Sequence, residues 1–441
     1  MLGALRHRNY RLFFTGQIVS TIGTWMQSVA MPWLALQLTH SGLLVGLVLA
    51  AQFTPILIGS QFGGVVADRF RKRGILLITQ SAFTIPSFAL FAVSAGGHAQ
   101  YWMVIIAALA TGTINLFDVP ARQAFIVEMV GKQDLMNAIA LNSSVFNGAA
   151  VVGPSLAGVL IALVGVPLCF LANSISYLGA VAALLLMRDL PNAAQERHEQ
   201  PLLSRLAQGA SYARHQPVVG GLLVAVAIFS LFAMNRQTLM PLFADQVLHA
   251  GAQGFGFLLG AMGLGALAGA LTLAFMPHLG ADPRRQLWMA GIWVAALLEF
   301  SISRVFLISL ITLFVAGYCQ ISFLATTNNR IQTITPDHLR GRVMALYVQA
   351  FAGVGPIGAM QAGLLATLFG APWAMAVGAI AAGAVVLAIR LLVPEVFGGP
   401  SGGRGERSVA DPRSGLPGQP MKTSSTDATA SAGTSQRSAR T

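Results

Sequence analysis

Long apolar runs, broken at short polar intervals, dominate the chain from residue 12 to residue 393. Twelve can be marked out: 12–37, 43–66, 74–95, 100–121, 138–164, 166–187, 218–242, 253–276, 286–303, 305–328, 343–369 and 371–393. A helix needs roughly 20 apolar residues to cross a bilayer core, so each run is predicted to span the membrane. The division between the ninth and tenth rests on Arg304. The first run is too long for a signal-peptide core and no small-residue cleavage site ends it, so it is expected to remain as a helix. A polar stretch separates six runs from six. The expected organisation is an N-terminal bundle (1–187), a linker (188–217), a C-terminal bundle (218–393) and a tail (394–441). The tail is rich in Gly, Ser, Pro, Thr and Arg and poor in large apolar side chains, so it is expected to be disordered. The fold class that follows is an all-α polytopic membrane protein.

Composition narrows the function. Of 441 residues, 55% are hydrophobic and 10% charged, against about 25% charged in soluble domains. Short loops leave no room for a large soluble catalytic domain. Cys169 and Cys319 both lie in apolar runs, which excludes a disulfide framework or a zinc cluster. The net charge of +12 would suggest nucleic acid in a soluble protein. Its placement says otherwise. With twelve alternating spans, 25 of the 27 Lys and Arg residues fall on one side, the exceptions being Arg236 and Arg304. Basic loops mark the cytoplasmic face. Both termini are therefore expected in the cytoplasm, with anionic headgroups rather than DNA as the basic loops' partner.

The halves repeat. Met31–Gly42 aligns with Met240–Gly251, with six of twelve positions identical. The stretch from Arg122 to Gly165 aligns with that from Arg330 to Gly370, with Gly153-Pro154 echoing Gly355-Pro356. Duplicated bundles can rock about a central site and expose it to each side in turn.

The loop after the second run reads Gly64-Val65-Val66-Ala67-Asp68-Arg69-Phe70-Arg71-Lys72-Arg73-Gly74-Ile75-Leu76. It resembles the signature between helices 2 and 3 of the major facilitator superfamily, with Arg71 where the second glycine of that signature stands. The opening Arg8-Asn9-Tyr10-Arg11-Leu12-Phe13-Phe14, together with Asp118–Ala124 and Asn137–Ser143, is similar to a bacterial drug and siderophore exporter branch of that superfamily, the one with the enterobactin exporter and macrolide-efflux relatives. The resemblance implies two pseudo-symmetric six-helix bundles, alternating access, and export driven by proton antiport. It also implies a gate in which Asp68 meets the start of the eleventh span and Lys72 meets Asp118. Gly64, Arg69, Arg73 and Arg122 complete that gate.

Charges inside spans are functional candidates. Asp118 and Arg122 share a helical stripe with Thr111 and Asn115, and Asp118 is the candidate for proton coupling, since the first span holds no acid. Arg236, next to Asn235, lies within the seventh span, and its repeat counterpart is Gln27. Gln17, Ser20 and Thr24 lead along the stripe to Gln27, while Gln320, Thr327 and Asn328 mark the tenth span. The superfamily lines its central cavity with helices 1, 4, 7 and 10, which implies that these polar stripes converge there. An arginine in such a cavity favours an anionic small-molecule substrate; the bland alternative pairs Arg236 with Asp245. Glu299 is expected to pair with Arg304.

No phosphate-loop lysine and no H-E-x-x-H motif occurs, and the G-x-G-x-x-A run at Gly263–Ala268 lies inside an apolar span, where it serves helix packing. No cofactor is expected, and the proton gradient is the expected energy source. The chain is read as a monomeric transporter and not an enzyme. The alternatives are an enzyme acting on a lipid-linked substrate, a metabolite importer or facilitator, and a channel.

Overall fold

The computed structural model describes residues 3–188 and 202–398; the side chains of Asp68 and Arg236 lie outside that description, as do residues 189–201 of the linker and 399–441 of the tail. The N-terminal half comprises α1 (Arg8–Thr39), α2 (Gly42–Arg69), α3 (Lys72–Ala95), α4 (Tyr101–Gly131), α5 (Gln133–Val164) and α6 (Pro167–Leu185). A linker helix, α7 (Leu202–His215), follows. The C-terminal half comprises α8 (Pro217–Val247), α9 (Gly251–Phe275), α10 (Pro283–Ile302), α11 (Phe306–Ile334), α12 (Leu339–Phe369) and α13 (Ala371–Leu392). Ten of these helices are long and apolar enough to cross a membrane. The other two, α1 and α10, carry arginines in their first turns and pack within the same bundles. Among the described residues there is no strand, and the twelve-helix architecture matches the twelve apolar runs.

The repeat is visible in the backbone. His40 and His249, aligned by sequence, both close their helices with left-handed φ values of 50° and 49°. Gly165 and Gly370, also aligned, have φ of 90° and 86°. The chain passes from α4 into α5 at Gly131, whose φ of 66° is a conformation that a Cβ disfavours. Packing repeats as well: α2 lies on α4 through Gly63 and Gly112, and α9 lies on α11 through Gly265 and Gly317. In lipid, helices gain little from burying apolar surface against one another, so close backbone approach at small residues does much of the work.

Two seams join the halves, α2 with α12 and α5 with α9. At one end they are tight. A Cβ at Gly46 would run into the Ala359 carbonyl, and one at Gly256 would meet Pro154 and Gly158. The Leu43 N–H donates to Thr367 Oγ1 at 2.8 Å, and Trp33 stacks on Phe255 with centroids 6.1 Å apart. The other end, which carries the N-terminus of α1 and the C-terminus of α13, is different. Gly64 lies 18 residues beyond Gly46, five turns along the same face and about 27 Å away. Among the described residues, nothing lies within 4 Å of where its Cβ would be. Ala140 and Ala274, at the same spacing from Gly158 and Gly256, are exposed. The seam is closed at one end and parted at the other.

Two departures from the sequence reading stand out. The linker is not simply polar chain: α7 packs its Gly209 against the Arg342 carbonyl of α12, and Tyr212 donates to the Ile334 carbonyl at 3.4 Å. The tail begins later than position 394. Pro394–Phe397 forms a 3-10 turn with Val396 and Phe397 fully buried, and the Val396 carbonyl accepts a 2.6 Å bond from Arg330.

Candidate functional site

Between the tight seams and the parted end lie two adjoining pockets. The first, about 170 Å³, is bounded by Trp25 of α1, Phe146 and Asn147 of α5, Met234 of α8, Met262 of α9, Gln320 of α11 and Phe351 of α12. The second, about 50 Å³, is bounded by Thr24, Gln27, Gln52, Thr111, Asn115, Tyr177 and Gln237. Thr24 and Trp25 on α1, and Met234 and Gln237 on α8, place the two side by side. Among the described residues lining either pocket none is charged. The first is walled by aromatic rings and thioethers, the second by amides and hydroxyls.

The backbone is irregular beside these pockets. α8 breaks at Ala233–Asn235, where the Asn235 amide caps the broken turn by donating to the Leu231 carbonyl at 2.8 Å. α12 passes through a π-helical turn, Gln349–Gly353, and the Phe351 carbonyl accepts from Ser230 Oγ at 2.6 Å. Non-helical backbone at membrane depth is tolerated where protein covers it or where it lines a cavity. Asn235 therefore supports the wall from behind rather than forming it.

The N-terminal bundle holds a buried polar network. Asp118, fully buried, accepts from Thr79 Oγ1 at 2.7 Å, Gln80 Nε2 at 2.8 Å and Arg122 Nε at 3.0 Å. Ser20 Oγ reaches Gln80 at 3.4 Å. Deeper along α1, Gln27 Oε1 accepts from Ser87 Oγ at 2.8 Å and Asn173 Nδ2 at 2.7 Å. A void of about 10 Å³ between Gln17, Gln80 and Arg122 is near the size of one water. Gln17 thus faces this void and bonds Thr21 at 3.0 Å, rather than lining either central pocket.

The basic loop pairs differently from expectation. Lys72 Nζ lies 3.0 Å from Glu128, both side chains mostly buried, while Asp118 is taken by Arg122 of its own helix. The reason is reach: Lys72 opens α3 at the level of the last turn of α4, where Glu128 lies, and Asp118 sits three turns deeper. Arg73 caps α6 by donating to the Leu184 and Leu185 carbonyls at 2.9 and 3.1 Å. Arg69, at the end of α2, also has an interaction partner.

In the C-terminal bundle the counterpart of Arg122 is Arg330, and Thr326 stands where Asp118 would be. Arg330 instead uses Gln286 Oε1 at 2.5 Å and the Val396 carbonyl. Thr327 accepts from Gln286 Nε2 at 2.6 Å, so it faces α10 and not the cavity. Glu299 accepts from Thr312, whereas Arg304 turns to the Ser301 and Ser303 carbonyls; the expected Glu299–Arg304 pair is not made.

The structure therefore gathers Thr24, Gln27, Asn115 and Gln320 at the pockets and sends Gln17, Asn235 and Thr327 elsewhere. Sequence reasoning missed Glu128, Gln52, Tyr177 and Gln237. The last three were signalled by a polar group inside an apolar run, and Glu128 by an acid between two runs. Phe146 and Met262 carry no linear signal that would distinguish them from packing residues.

A family model described as transmembrane secretion effector matches residues 1–398. The staphyloferrin A transporter of Staphylococcus aureus is 24% identical over 383 residues, covering 82% of this chain and 90% of the relative. The enterobactin exporter EntS of Shigella boydii is 27% identical over 364 residues, covering 82% and 86%. Among solved structures, a bacterial homologue of the human lysosomal transporter Spinster, inward-facing and unoccupied, superposes with a TM-score of 0.67 at 13% identity, over 88% of this chain and 96% of that one. The nucleoside transporter NupG gives 0.66 at 13% identity, over 86% and 98%. With twelve helices in two repeated bundles around a shared cavity, and a match over its whole described length, the chain belongs to the transmembrane secretion effector family of major facilitator superfamily transporters.

Proposed function

We propose that this transporter exports small organic molecules from a bacterial cytoplasm, driven by the proton gradient. The observation that carries the reading is the asymmetric seam: tight at Gly46 and Gly158, parted at Gly64, with pockets built from both halves between them. Such a molecule binds cargo from one side and releases it to the other only by exchanging which end is closed. The names of its relatives favour a siderophore-type cargo. The parted end carries the basic loops, which makes it the cytoplasmic end by the distribution of Lys and Arg. In this reading both termini are cytoplasmic, the chain works as a monomer, and anionic headgroups meet the basic loops.

The gate is assigned to Gly64, Asp68, Arg69, Lys72 and Arg73 at the parted end, with Lys72–Glu128 bracing α3 on α4. Asp118 is assigned the coupling proton. All its partners donate, so protonation would release Arg122 and weaken the bonds from Thr79 and Gln80 that tie α3 to α4. Arg236 is assigned to an acidic group on the cargo.

Purified chain in vesicles loaded with cargo tests this. A pH gradient should accelerate flux several-fold, and Asp68→Asn should lower it at least tenfold while insertion is intact. Arg236→Ala should slow anionic cargo more than neutral cargo. Flux indifferent to the gradient would remove the proton, and flux indifferent to Asp68→Asn would remove the gate.

A further inference from the structure

The two pockets carry a recognition pattern that transport alone does not explain. Gln320 is 7% exposed and forms part of the larger pocket's wall, yet its amide nitrogen has no acceptor. Thr111 is 5% exposed and forms part of the smaller pocket's wall, yet its hydroxyl has no partner. An unpaired buried polar group costs about 1–3 kcal/mol, and native proteins keep few of them. Among the described residues eight buried side-chain atoms lack a partner, and two of them, one in each half, stand at these pockets. Around Gln320 the wall is largely apolar and ring-rich: Trp25 and Phe146 meet edge to face with centroids 5.5 Å apart, and Met234, Met262 and Phe351 line the same pocket.

The size is informative. A dry cavity of about 150 Å³ holds a benzene ring, so the 170 Å³ pocket has room for one ring. The 50 Å³ pocket suits a hydroxyl or carbonyl and not a second ring.

We propose that the cargo is a ring-bearing molecule with a hydrogen-bond acceptor. Its ring lies between Trp25, Phe146 and Met262, its carbonyl or ether oxygen takes the Gln320 N–H, and a second polar group takes the Thr111 hydroxyl. This rests on the transporter reading of the same cavity and adds the chemical class. Because Trp25 and Thr111 belong to one bundle and Gln320 to the other, a single ligand bridges both halves. Binding then biases the rocking equilibrium through differential contacts, as any ligand-driven change must. An all-polar polycarboxylate would leave the ring site empty and is not the preferred class.

Equilibrium binding to the detergent-purified full chain tests this, with radiolabelled chloramphenicol as a neutral aryl amide and radiolabelled citrate as an aliphatic polycarboxylate. Chloramphenicol should bind saturably, and citrate at least tenfold more weakly. Gln320→Leu should weaken chloramphenicol at least tenfold and Thr111→Val several-fold. Ser322→Ala, which removes an unpaired hydroxyl lying off both walls, should leave binding unchanged. Gln320→Leu should also keep or raise the melting temperature, since it removes an unpaired buried amide without opening a large cavity. A binding site kept at the expense of stability behaves this way; a structural glutamine would melt lower. The proposal is overturned by absent saturable binding, by preference for citrate, by indifference to Gln320→Leu, or by loss of binding and of stability together. Vesicles whose protein binds the probe but moves no solute would instead overturn the transporter reading and leave the ligand class standing.

Discussion

Replacing Asp118 with alanine is expected to destabilise the N-terminal bundle more than any other single change within it. Removing one member of a buried ion pair costs about 3–5 kcal/mol, because the survivor keeps its charge without a partner. Arg122 is the survivor, and its side chain is 23% exposed, so water softens the loss toward the lower figure, about 3 kcal/mol. Thr79 and Gln80 would also lose their acceptor. The check is thermal unfolding of purified protein across a double-mutant cycle. Asp118→Asn with Arg122→Gln should recover most of the stability, since both charges leave together. Transport should not return with it if the pair carries the proton. Recovery of both would reduce the pair to scaffolding.

The second large effect concerns the closed seam. At Gly46 the backbone of α12 is so near that a leucine would force α2 and α12 apart. Overpacking of this kind costs typically 1–3 kcal/mol, and here the cost falls on one conformation only. Applied to a two-state equilibrium, that penalty shifts the ratio by roughly 5- to 150-fold. Gly64→Leu enters open space in the present conformation and should obstruct the other one. The two leucines should therefore push in opposite directions. Asn115→Cys, on the wall of the smaller pocket, reports the direction through labelling by an impermeant maleimide added from one face or the other. Gly46→Leu should raise labelling from the face where the seam is now closed, and Gly64→Leu from the face where it is parted. Both should cut transport at least tenfold. Equal labelling patterns in the two variants would mean that the ends do not exchange.

Hydrophobic run length, loop charge and the repeat were enough to read twelve helices in two bundles from the residues. They suffice because a membrane permits few backbone solutions. His40 and His249 show how far the repeat reaches: an identity in sequence is an identity in φ. The site was legible only in part. A stripe such as Gln17, Thr24 and Gln27 shows which face of α1 is polar, but not whether that face meets a cavity or another helix of its own bundle. Gln17 finds Thr21 and a water-sized void, whereas Thr24 reaches the pocket. Likewise Thr327 reads as cavity-lining until Gln286 of α10 is seen to claim it. Long side chains add a further ambiguity: Lys72 could reach several acids, and the helix ends select Glu128. The seam pocket was hidden because Trp25, Phe146, Met262 and Phe351 come from four helices and have ordinary core chemistry.

Covalent closure of the seam tests alternating access most directly. The Leu43 N–H to Thr367 Oγ1 bond brings α2 and α12 together at the closed end. A protein with Leu43→Cys and Thr367→Cys, linked by oxidation, holds that end shut. In vesicles, linking should stop solute movement, and a reductant should restore it to the unlinked rate. Undiminished flux through the linked protein would contradict a transporter that must open each end in turn.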